Sequence, residues 1–141
     1  MDRPGGPAPP ALRRWLFWIL VLGLAGTEVE LLLLAHYEDA WQWTPLVLIA
    51  LTAGVVLWHR NSDTKAGLRA LKALMILSVV AGGLGVCLHF RGATQFQREI
   101  NPAEPFWNIA AKVLRSKAPP VLAPGIMIQL GLIGLVYVRL D

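Results

Sequence analysis

Hydrophobic positions along this chain come in long unbroken runs. Four windows, at about residues 15–37, 44–59, 71–90 and 121–138, are nearly free of Lys and Arg. Each is close to the roughly 20 residues needed to cross a hydrocarbon core about 30 Å thick. Runs such as residues 31–35 and 74–88 do not fit the strict alternation of a membrane barrel. The pattern therefore predicts an all-α integral membrane protein with four transmembrane helices. One shorter helix is expected between spans three and four. Asn101-Pro102-Ala103-Glu104 reads as its N-terminal cap, and Phe106, Ile109, Ala110, Val113 and Leu114 then share one face, with Lys112, Arg115 and Lys117 elsewhere. This amphipathic surface helix is expected over residues 106–117, with its apolar face on the membrane and Pro119-Pro120 as its stop. Pro124-Gly125 is expected to interrupt the start of the fourth span.

Composition supports this reading. With 55% hydrophobic and 16% charged residues and a mean hydropathy of +0.53, the chain lies outside the usual balance of a soluble domain. Charge then sets the orientation. Placing both termini in the cytoplasm gathers Arg3, Arg13, Arg14, Arg60, Lys65, Arg69, Lys72 and Arg139 on that side, and leaves Arg91, Arg98, Lys112, Arg115 and Lys117 on the other. Trp15, Trp18, Trp41, Trp43, Trp58 and Trp107 fall at span ends or in flanking loops, where indoles settle in the headgroup layer. Residues 1–14, rich in Pro and Gly, read as a disordered cytoplasmic lead, and residues 15–141 as one four-helix membrane domain. Arg13-Arg14 before an apolar stretch has the grammar of a cleaved signal, but the run resumes after Glu30, so the segment is expected to stay as a span. The expected location is the inner, cytoplasmic membrane, crossed several times.

Motifs for chemistry are scarce. The single Cys87 leaves no disulfide framework within the chain, and no phosphate-binding Gly-rich loop, His-Glu-x-x-His or nucleophile elbow is present. A net charge of +4 divided between two sides of a bilayer does not read as a nucleic-acid surface. The expected partners are the lipid bilayer and either a second copy or a larger membrane complex.

Two groups of residues carry what chemistry there is. Glu28 and Glu30 lie within the first span, where a carboxylate costs on the order of 2.5–3.5 kcal/mol. They stand about 200° apart around a helix, so different partners are expected. Counting depth along each span puts Thr52, Gly54, Gly82, Gly83 and Gln129 level with Glu28, with Gln129 the leading hydrogen-bond partner and Thr52 the next. The second group follows from topology. Spans one and three run the same way and deliver His36 and His89 to one leaflet, near Glu38, a ligand set for a metal or a haem. Three functional classes remain: a small non-catalytic accessory or self-associating protein, which needs no cofactor; a proton-coupled transporter or channel element using Glu28; and a metal- or haem-linked protein using His36 and His89. The first leads, because glycine-rich helix faces suit packing.

Overall fold

The computed structural model describes residues 9–62, 64–116 and 122–140, the side chain of Ala123 aside. The lead at residues 1–8 and the stop at Pro119-Pro120 lie outside the described residues. Among the described residues all regular elements are helical: α1 (Pro10–Leu33), α2 (Trp43–Ser62), α3 (Lys65–Ile100), α4 (Phe106–Leu114) and α5 (Leu122–Arg139). Three of them, α1, α2 and α3, are long and apolar enough to cross a membrane, whereas α5 is a shorter apolar helix.

α1 begins at Pro10, whose fixed φ and missing N–H suit a first helical turn, so residues 10–14 are helix and not part of the lead. α3 starts at Thr64, whose Oγ1 accepts the Gly67 N–H at 3.1 Å. It then runs for 36 residues, about 54 Å, ten residues past the expected end of the third span. Asn101 ends α3 and does not cap the short helix, which starts at Phe106 behind Pro105. α4 packs back onto the α3 extension. This corrects the expected membrane face: Ile109 and Val113 are only 0% and 3% exposed, covered by protein. Pro124-Gly125 does not break α5. Pro124 is the third residue of that helix, where no intrahelical N–H is required.

Helices α1, α2, α3 and α5 close into a bundle in which α1 meets α2 and α5, and α3 meets α2 and α5. Leu20, Leu24, Leu71, Met75, Met127 and Leu130 form the middle of its core. Outward faces carry Leu22, Leu33, Leu57, Leu77 and Val80 at half or more of full exposure. An apolar surface of that extent suits lipid and not water.

The closest contact in the bundle is the antiparallel seam of α3 and α5. A Cβ added at Gly82 would stand 2.7 Å from the Pro124 carbonyl oxygen, and one at Gly131 would stand 2.8 Å from that of Met75. Gly134 likewise faces the Met75 side chain, and Gly85 the Pro124 ring. Gly54 and Gly83, expected in the same polar layer, face open space. Gly131→Ala should therefore destabilise the protein by about 1–3 kcal/mol, while Gly83→Ala should stay within about 0.5 kcal/mol of wild type. Thermal unfolding of the two variants in detergent checks this, and equal midpoints would mean the seam is not tight.

Candidate functional site

α1 ends in a turn that gives the site its shape. The Ala35 N–H bonds to the Leu32 carbonyl at 3.1 Å and the His36 N–H to the Leu31 carbonyl at 2.9 Å, a Schellman arrangement. Its left-handed position, normally glycine, is filled by Ala35 with φ 51°. For an alanine this costs on the order of 1–2 kcal/mol. Further bonds hold the turn in place. Asp39 Oδ1 accepts the N–H groups of Trp41 and Gln42 at 2.8 and 3.0 Å, and Gln42 Oε1 accepts the Glu38 N–H at 2.7 Å. His36 thereby leaves the line of α1.

On α3, His89 comes to meet it. The two imidazole rings lie 6.1 Å apart, centre to centre, with planes inclined by 24°. They border a chamber of about 360 Å³ between α1, α3, α5 and the start of α2. Its walls are largely apolar, with Leu31, Leu84, Leu88, Ile126 and Met127 among them, and its polar groups include Glu30, His36, Asp39, Gln42 and His89 besides Thr27 and Thr44.

The structure brings only some of the expected site residues together. His36 and His89 share the chamber, but Glu38 does not line it, and among the described residues no group of three His, Cys, Asp or Glu could hold a metal ion. Of the two carboxylates on α1, Glu30 lines the chamber and Glu28 does not. The cause is azimuth. Leu20, Leu24, Thr27 and Leu31 form the buried stripe of α1; at about 100° per residue, Glu28 and Glu30 flank it on opposite sides. The Glu28 Oε2 is shielded, with no hydrogen-bond partner among the described residues. Gln129 is exposed, on the side of α5 away from buried Met127, Leu130, Gly131 and Gly134. The buried Thr52 hydroxyl donates to its own helix, at the Leu48 carbonyl, at 2.7 Å. The expected Glu28–Gln129–Thr52 layer is therefore not formed.

The sequence grouped Glu30 with Glu28 and not with the histidines, and Gln42 is a polar chamber residue it did not single out. For Glu30 the separation from Glu28 around the helix was legible in the sequence, but not which of the two would face the histidines. For Gln42 the available sign was the Asp39-x-Trp41-Gln42 spacing of a side-chain-capped turn. No family model, curated protein or solved structure matches the chain.

His36 lies beyond the end of α1, and its acidity can be read from its surroundings. Burial lowers its pKa from the ordinary value, the neighbouring His89 lowers it further, and Asp39 opposes both. Such a group favours the folded state above the unfolded imidazole value of about 6.5, and this contribution is lost as pH falls through the lower folded value. In an NMR titration His36 should thus lose its proton below about pH 6.5. His89→Asn should move that midpoint up and Asp39→Asn should move it down, the amide still serving the turn as an acceptor. A midpoint indifferent to His89→Asn would show that the rings do not sense each other.

Proposed function

We propose that the chain is a small inner-membrane protein of four spans, with both termini cytoplasmic, that acts as a non-catalytic accessory subunit holding a lipophilic ligand in its chamber. α1, α2, the first part of α3 and α5 are the spans. The charge asymmetry supports this orientation, which puts the His36–His89 end outside and the α2–α3 turn inside. Reporter fusions after Arg60 and Arg139 should give cytoplasmic signals, and one at Asn101 an external signal. The reverse pattern would overturn the orientation.

The observation that carries the ligand reading is the chamber: apolar walls that open to polar groups near one end of the bundle, in a volume of about 360 Å³. That combination suits a molecule with a flat carbonyl- or hydroxyl-bearing head and an apolar tail. A neutral imidazole of His36 can donate to a carbonyl, and Glu30 can accept from a hydroxyl. Trp41 lines the same space and offers a readout. A short-chain benzoquinone should quench tryptophan emission saturably, and His36→Ala or Glu30→Leu should each weaken binding roughly fivefold, as for one lost hydrogen bond. Quenching that is linear and identical in the variants would refute the chamber as its site.

The proximity of His36 and His89, 6.1 Å apart in one chamber, supports one second reading, in which the two imidazoles turn to hold a metal ion or haem. Metal analysis and a visible spectrum of protein purified without chelator decide between the two readings. Proton transport through Glu28 has less support, since Glu28 lies off the chamber.

A further inference from the structure

The opposite end of the bundle carries a second concave site. The starts of α1 and α3 and the ends of α2 and α5 surround an open basin of about 780 Å³, lined by Arg13, Arg14, Arg60, Phe17, Trp18 and Tyr137 among others. Guanidinium groups from two helices therefore line one basin.

We propose that this basin binds the phosphodiester headgroup of an anionic membrane lipid. The arginines do more than orient the chain in the bilayer. The Arg13 guanidinium lies 5.5 Å from the centre of the Tyr137 ring, and that of Arg60 lies 5.2 Å from Phe17 and 6.0 Å from Trp18. Stacking of this kind restricts a long side chain before any ligand arrives, so less freedom is lost on binding. A guanidinium presents its N–H groups as a planar fork, the geometry that matches two phosphate oxygens.

Depth and floor favour a lipid over a soluble ester. Trp15 and Trp18, both largely exposed, mark this end of α1 as headgroup level on the membrane reading given above. Pro10, Phe17 and Leu140 form an accessible apolar part of the lining, where the glycerol and first methylenes of an acyl chain can rest. Basic pockets between helices on the cytoplasmic side are suited to anionic headgroups. The α3 bases Lys65, Arg69 and Lys72 share this end of the bundle but are exposed and stand outside the basin, so the chain contains its own control.

The test is native mass spectrometry of the full chain released from micelles that contain equal amounts of phosphatidylglycerol and phosphatidylcholine. Wild type should retain phosphatidylglycerol in preference. Arg14→Gln with Arg60→Gln should lower that preference by roughly twentyfold, at about fivefold per arginine, whereas Lys65→Gln with Arg69→Gln should leave it within about twofold. Arg14→Lys with Arg60→Lys, which keeps the charge but not the fork, should fall between these if the site reads phosphate geometry. Equal retention of the two lipids by wild type would overturn the proposal, and so would an equal loss in the α3 control, which would reduce the effect to surface charge. Displacement of the lipid by millimolar glycerol 3-phosphate would also overturn it, by reassigning the basin to a soluble phosphate ester. The wild-type comparison stands even if an arginine variant fails to fold.

Discussion

Backbone contact between α3 and α5 is the constraint on which the rest of the bundle depends. In lipid the removal of apolar side chains from water no longer drives helices together, so association rests on close packing. Here glycines on both helices admit the opposing main chain: Gly82 meets the Pro124 carbonyl, and Gly131 meets that of Met75. The seam also fixes where the chamber can be. Gly82, Gly85 and Pro124 belong to the seam and line the chamber as well. A space therefore opens where α1 and the 34–42 turn no longer follow that pair inward.

What could be read from the sequence follows from periodicity and direction, and what could not follows from azimuth. Unbroken apolar runs are enough to place α1, α2 and α3, and the common direction of the first and third spans is enough to bring His36 to His89. Depth counting placed Gln129 level with Glu28, but level is not facing: α5 turns Gln129 outward because Met127, Leu130, Gly131 and Gly134 claim the other side. The same limit applied to the two carboxylates, whose separation around α1 was legible although the chamber side was not. The reach of α3 was hidden for a different reason. Hydropathy ends near Phe90, but the polar residues that follow carry no proline before Pro102, so the helix continues to Ile100. That extension is what covers α4, whose amphipathic pattern states that a face is buried without saying against what.

The two ends of the bundle have opposite chemistry on one scaffold. Glu30, Asp39 and the imidazoles gather at one end, and Arg13, Arg14 and Arg60 at the other. α1 contributes to both, with Arg13 and Phe17 in the basin and Thr27 and Glu30 in the chamber. Between them its buried stripe is held by the core, and Gly23 lies so close to the Leu130 side chain that a Cβ there would collide with it. The chamber and the basin therefore stand about 25 Å apart along α1, by its rise of about 1.5 Å per residue, with the core positions Leu20 and Leu24 between them.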